Sequence, residues 1–448
     1  MKVSFTSSSL VTPSKPTWNG IMQLADWDQI GYISHISTVH IYKPPHKQEN
    51  SSIAFINNLK DSLSRLLVHF YPIAGRLRWI NGGRLELDCN ALGVQFIVAE
   101  TKAKLYDLGE FSTSSEMTSL APRIDYENTS LEEHPLLYIQ ITKFQCGSIS
   151  ICPAMSHVIV DGRCASYFLA EWANFARGES LDFLPFLDKR ILRAGEILTK
   201  PTPPNFVPFV TPPLLIGQKD VNQEREKETT VTMLKLTKNQ VDLLKKAANE
   251  TRPDKSSRPY SRYETISGHI WKCTSKARGH KAEQKTGFGI SVDIRKRMQP
   301  SIPQNFFGNS TIDVVADACS GDLVTKPLGY AASRIRETID KVDAMFVHLT
   351  IDFWKNQEDF SPFQDVHGCD EGPFYGNPNL GVTSWLTLPF LGLDFGWGRE
   401  VYMGPVTHDI DGDFILCPDN SGDGSVIVRA CLQVPHMKAF KKLFYDYV

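Results

Sequence analysis

Six of the 27 prolines fall between Pro201 and Pro213, and the charged run Gln218 to Glu228 follows at once. Proline lacks an amide hydrogen and has a locked φ, so such a stretch continues neither a helix nor a central strand. It reads as a linker. A chain of 448 residues also exceeds one ordinary core and suffices for two of roughly 200 residues each. The expected division is an N-terminal half over residues 1–193, a crossover over 194–228 and a C-terminal half over 229–448.

Hydrophobic periodicity places strands and helices in both halves. Phe55, Ile56, Leu59, Leu63, Leu66, Leu67 and Phe70 fall on one helical face, with Pro72 ending the run. Thr230 to Leu236 alternates like a strand, and Thr237 with Gln240 forms a capping-box pattern ahead of Val241, Leu244 and Ala248. Ser148 to Met155 is β-prone. Arg163 to Arg177 is helical, with Phe168, Leu169, Trp172 and Phe175 on one side and Gly178 as its stop. Between these two lies Ser156-His157-Val158-Ile159-Val160-Asp161-Gly162, which places a histidine at a strand-to-helix turn.

Bulk properties narrow the classes. A formal net charge of -2 provides no broad basic field for nucleic acid or an anionic membrane. Met1 to Pro13 has no apolar core of a secretory signal, and no stretch approaches the roughly 20 apolar residues of a membrane span. Nine cysteines without CxxC pairs argue against a disulfide framework and a structural zinc. Reduced thiols in the cytoplasm are the simplest expectation.

Histidine, with an ordinary pKa of about 6.5, can accept and return a proton near neutral pH, so His157 suits a general base. Among 12 histidines, an HxxxD spacing alone leaves a structural role open. No GxSxG elbow supports a nucleophilic triad, no further ligands complete a metal site on His157 and Asp161, and no glycine-rich phosphate cradle is present.

His157-Val158-Ile159-Val160-Asp161-Gly162 resembles the HxxxDG motif of the BAHD acyltransferases, which use CoA thioesters, and Asp394-Phe395-Gly396-Trp397-Gly398 resembles their DFGWG motif. Further similar stretches are His69 to Leu77, Val292 to Arg295, Phe307 to Asn309 and Asn379 to Trp385. Within the family, Pro16 to Trp18, Ala25 to Gln29 and Glu371 to Asn379 resemble the subgroup that transfers hydroxycinnamoyl groups to spermidine.

The resemblance implies an α/β, chloramphenicol-acetyltransferase-like fold, with two domains of mixed sheets and helices facing across a tunnel. Acyl-CoA enters from one side as co-substrate and the acceptor from the other; no permanently bound cofactor or metal is implied, and a monomer is expected. It further implies that His157 is the base, that the Trp385 indole N–H stabilises the oxyanion, and that Asp161 points away from the tunnel and pairs with Arg295. DFGWG is expected to be structural, so Asp394 and Trp397 stay outside the catalytic set. The Tyr260 to Glu264 segment resembles one beside the CoA nucleotide, making Ser261 and Arg262 the CoA-binding candidates.

For the acceptor, family members acting on shikimate or quinate carry an arginine that aligns here with Asp370, and a second arginine is replaced by Thr387. Asp370 and Glu371 would suit a polyamine ammonium. Freeing a primary amine of pKa about 10.4 costs roughly 4 to 5 kcal/mol at pH 7, so these acids should hold a distal ammonium and not the reacting one. Thr383 and His35, with Ser37 and Thr38, are expected to complete the acceptor pocket. The alternatives are O-acylation of an alcohol such as shikimate or quinate, and an inactive relative acting as a binding protein.

Overall fold

The structure, a computed structural model, describes residues 1–30, 32–44, 52–109, 115–192, 206, 208, 213–217, 223, 224, 226–252, 254–364, 374–407 and 409–446. Most of the proline-rich crossover, together with Asp370 and Glu371, lies outside them.

Two six-stranded mixed sheets dominate. The first runs, in spatial order, Val3–Val11, Val94–Thr101, Leu137–Phe144, Ile149–Ser156, His35–Tyr42 and Tyr402–Pro405. The second runs Thr311–Cys319, Lys285–Asp293, Leu380–Ser384, Asp413–Pro418, Val426–Gln433 and Thr229–Leu236. In the second sheet Leu380–Ser384 pairs in parallel with both neighbours, a central position consistent with its buried Leu380, Gly381 and Val382. A small antiparallel sheet holds Ile21–Gln23, Arg84–Asp88 and Arg76–Ile80.

The two cores do not respect the linker. Tyr402–Pro405, from the C-terminal half, pairs with His35–Tyr42 and completes the first sheet. Trp385, Phe390, Phe395 and Trp397 bury into the first core, while Trp27 buries into the second. A cut at the prolines therefore separates segments that pack as one, because strand pairing and aromatic burial reach across it. Each large side chain fully buried this way contributes on the order of 1.5 to 3 kcal/mol.

The local readings translate directly. Thr237 caps the Lys238–Glu250 helix, with both halves of the capping box formed. The amphipathic run beginning at Phe55 forms the Ser52–Leu66 helix, and Leu67 and Phe70 bury in the turns beyond its end. That helix packs on Gly162–Ala176, where Trp172 Nε1 donates to Leu59 O and Ser62 Oγ, each at 3.2 Å. Gly178, at φ +83°, supplies the left-handed residue just past the second helix.

Candidate active site

Ile149–Ser156 ends beside the first residues of its two antiparallel neighbours, His35–Tyr42 and Leu137–Phe144, and Gly162–Ala176 begins six residues later. The intervening turn carries His157. Its backbone is tied at both ends: His157 N–H donates to Ser34 O at 2.9 Å, and Asn309 Nδ2 donates to His157 O at 2.9 Å and to Val158 O at 3.0 Å. The half-buried His157 side chain lines a cavity of about 570 Å³ between the two halves. Trp385 lines the same cavity from the other side, together with Thr383.

Trp385 is placed by the second sheet. It follows the Leu380–Ser384 strand, its N–H donates to Leu416 O at 2.8 Å, and its ring packs against Phe390 with centroids 5.4 Å apart. The indole N–H makes no hydrogen bond among the described residues, so it is available as a donor within the cavity. A histidine and an indole N–H on one cavity can take a proton and stabilise a developing oxyanion.

Asp161 also borders the cavity, but its carboxylate is taken up by other partners. It caps the Gly162–Ala176 helix by accepting from Cys164 N–H at 2.9 Å, and it also accepts from Ser310 N–H at 3.0 Å and Ser310 O–H at 3.2 Å. Arg295 grips both of its oxygens, and His157 is not among its partners. Burial opposes its charge, but the Arg295 guanidinium and these donors outweigh burial and hold the carboxyl below its usual range.

DFGWG forms a turn outside the cavity lining. Asp394 Oδ1 accepts from Gly396 N–H at 2.8 Å and Gly398 N–H at 3.0 Å, while Phe395 packs on Trp172 at 4.8 Å and Trp397 on Phe55 at 4.4 Å. Both glycines have positive φ, +89° and +101°, which the turn requires.

Ser261 and Arg262 open the Arg262–Arg278 helix, adjoining Tyr263, which does line the cavity. The Ser261 hydroxyl accepts from Glu264 N–H at 3.2 Å in a capping box. Arg262 forms no ion pair among the described residues, and neither residue lines the cavity. Glu264 is held by Arg258 and Arg336; burial works against its charge, yet those hydrogen bonds pull its carboxyl down to about 2.

His35 departs from expectation. Its Nε2–H donates to Pro135 O at 2.8 Å and its Nδ1 accepts from Tyr126 O–H at 2.5 Å, a tautomer assigned from these partners. Burial pushes it down to about 4, so it is neutral at pH 7. Neither His35 nor Ser37 is among the lining residues, whereas Ile36 and Thr38 are. The reason is strand parity, since alternate residues face opposite sides.

The cavity is also lined by Asp313, Ser291, Tyr375 and Asn309, to which the sequence assigns no site role, although Tyr375 and Asn309 fall in stretches that carry the family resemblance. Asp313 and Ser291 are direct cross-strand partners, and Ser291 Oγ donates to the Asp313 carboxylate. Burial, with the Asp413 and Asp313 carboxylates close by, raises the Tyr375 phenol well above its ordinary range. The available signal for Asp313 was a polar residue between the buried Ile312 and Val314, just after Phe307-Gly308-Asn309. Among the described residues, no helix is long and apolar enough to cross a membrane.

The chain matches the Transferase family over residues 1–447. It is 44% identical to hydroxycinnamoyl-CoA:piscidic acid hydroxycinnamoyltransferase of Actaea racemosa, covering 99% of each chain. It is 35% identical to shikimate O-hydroxycinnamoyltransferase of Nicotiana tabacum, and 32% identical to the hydroxycinnamoyl-CoA:5-hydroxyanthranilate N-hydroxycinnamoyltransferase HHT1 of Avena sativa, covering 100% of each chain in both cases. Among solved structures, vinorine synthase aligns with a TM-score of 0.73 at 23% identity, over 98% of this chain and 96% of that one. F. graminearum TRI101 with ethyl coenzyme A aligns at 0.75 and 16% identity, over 95% and 97%. Both share the fold.

Proposed function

Since the chain belongs to the Transferase family, the BAHD acyltransferases, which take their acyl group from a CoA thioester, we propose that it transfers a hydroxycinnamoyl group to an amine nitrogen of a polyamine such as spermidine. The relatives named for hydroxycinnamoyl transfer support the donor. The acceptor reading is carried by Asp313, an exposed carboxylate on the cavity wall whose neighbours include hydroxyl groups. A carboxylate there suits a distal ammonium, through a charge-assisted hydrogen bond.

In the proposed reaction the neutral amine attacks the thioester carbonyl while His157 takes the N–H proton. The Trp385 indole N–H donates to the tetrahedral oxyanion. Collapse breaks the C–S bond, and the proton passes from His157 to the departing sulfur, giving amide and free CoA thiol. Thr383 contacts the acceptor, and Ser261 and Arg262 meet the CoA nucleotide near the helix that carries Tyr263. Asp161 and Arg295 hold the turn and do not exchange protons. The protein acts as a cytoplasmic monomer.

A second reading, O-acylation of a carboxylated alcohol, is favoured by the piscidic acid and shikimate named for two relatives. One hydroxycinnamoyl-CoA offered with spermidine, putrescine, spermine and shikimate, followed as thiol release with mass identification of the product, decides between them. Amide formation from a polyamine is the expected result. Turnover with shikimate alone would overturn the polyamine reading and leave the acyltransferase reading standing.

A further inference from the structure

We propose that the buried Asp28–Lys189 ion pair is a positioning device for the base, acting on the His157 turn through Asn309. The proposal rests on His157 being the base. The His157 and Val158 carbonyls lie in the turn between a strand and a helix, and both accept from the same donor, Asn309 Nδ2. Asn309 in turn is held by Asp28: its N–H donates to Asp28 Oδ1 at 2.9 Å, and Nδ2 reaches the same oxygen at 3.3 Å. Because all three groups facing Nδ2 are acceptors, the amide can point only one way.

The other Asp28 oxygen accepts from Ala25 N–H at 3.1 Å and faces Lys189 Nζ at 3.1 Å. Both side chains are shut off from water, 0% exposed for Asp28 and 3% for Lys189. Lys189 Nζ also lies over the rings of Phe306 and Phe307, 5.4 and 5.3 Å from their centroids, on the residues that lead into Asn309. Gly308, which follows them, has φ +153°, and a Cβ there would stand 2.5 Å from Lys189 Nζ and 2.7 Å from the Phe306 ring, so the lysine packs against a position that favours glycine. The cation thus bears on both supports of Asn309, its carboxylate and its incoming chain.

Burying two charges costs several kcal/mol per ion, and an apolar pair of similar volume is often as stable, so stability alone gives little reason for a pair here. Geometry supplies one. The chain Lys189, Asp28, Asn309 ends on the backbone of His157, where a misplacement of about 1 Å can cost on the order of 100-fold in rate.

Lys189→Met, Asn309→Ala and the combination are compared by kcat, KM for acyl-CoA and melting temperature. Each single variant is expected to lower kcat by about 10 to 100-fold with KM changed less than about twofold, and the combination should fall no further than Asn309→Ala alone. A folded Lys189→Met with full kcat, or losses that multiply in the combination, overturns the proposal. Should Lys189→Met not fold, the charge-neutral pair Asp28→Asn with Lys189→Met is read the same way. His157→Ala serves as control: its retained turnover would sink the base reading itself, whereas an inactive control beside normal Lys189→Met sinks only the positioning role.

Discussion

Arg295 and Asp161 join the two halves through a two-pronged ion pair, Nη1 to Oδ2 at 2.9 Å and Nη2 to Oδ1 at 3.0 Å, with both side chains buried. Their positions are 134 residues apart in the chain. Because the carboxylate is consumed by this pair and by Cys164 and Ser310, it anchors the turn beneath His157 without orienting the imidazole. Asp161→Asn should therefore lower stability by about 3 to 5 kcal/mol, the usual loss when one partner of a buried pair is removed. Thermal melting alongside kcat of the folded fraction checks this; an unchanged melting temperature with lost activity would instead favour a His157–Asp161 dyad.

His157→Ala should reduce turnover by a factor of about 100 or more with the fold intact, since a positioned base contributes about 10² to 10⁴. Thiol release under saturating acyl-CoA is the measurement, and near-normal turnover would remove His157 from the mechanism.

Trp385→Phe retains the ring that packs on Phe390 and deletes the N–H. The loss is expected in kcat, roughly 10 to 1000-fold, with little change in substrate affinity. An effect confined to the acceptor KM would reassign Trp385 to binding.

Asp313→Asn removes one charge while keeping an acceptor for Ser291. At a partly wet wall this should raise the spermidine KM about 5 to 30-fold, corresponding to roughly 1 to 2 kcal/mol, and leave that for acyl-CoA nearly unchanged. Asp370→Asn with Glu371→Gln tests the acidic pair singled out in the sequence in the same way. If neither change touches spermidine kinetics, the ammonium is recognised elsewhere.

Acid should loosen the C-terminal half through Glu264. Its folded-state pKa, about 2, lies below the ordinary value of about 4.3, so the stability it contributes is present above pH 4.3 and is lost as pH falls toward 2. The melting temperature of the wild type should drop more steeply over the roughly two units between about pH 4.5 and 2.5 than that of Glu264→Gln. Parallel curves would mean that Glu264 is not linked to unfolding.

What the sequence determined by itself was local. The strand-to-helix turn at His157, the capping box at Thr237 and Gln240, and the amphipathic face from Phe55 all follow from periodicities and caps within a few residues. The HxxxDG and DFGWG resemblance reached further and carried the family. Tertiary structure alone decided which side chains meet. It turned His35 to Tyr126 and Pro135 while Thr38 faced the cavity, a matter of strand parity that the sequence could not reveal: much of His35–Tyr42 is buried and shows no clean alternation. It placed Tyr402–Pro405 in the first sheet, Asp313 on the cavity wall, and Asn309 between Asp28 and His157. Contacts across 149 to 281 residues of chain, such as Ser310 to Asp161 and Asn309 to Asp28, have no local period to betray them. They exist because two cores pack around one cavity, and each buried polar group there must find its partner wherever the fold brings one.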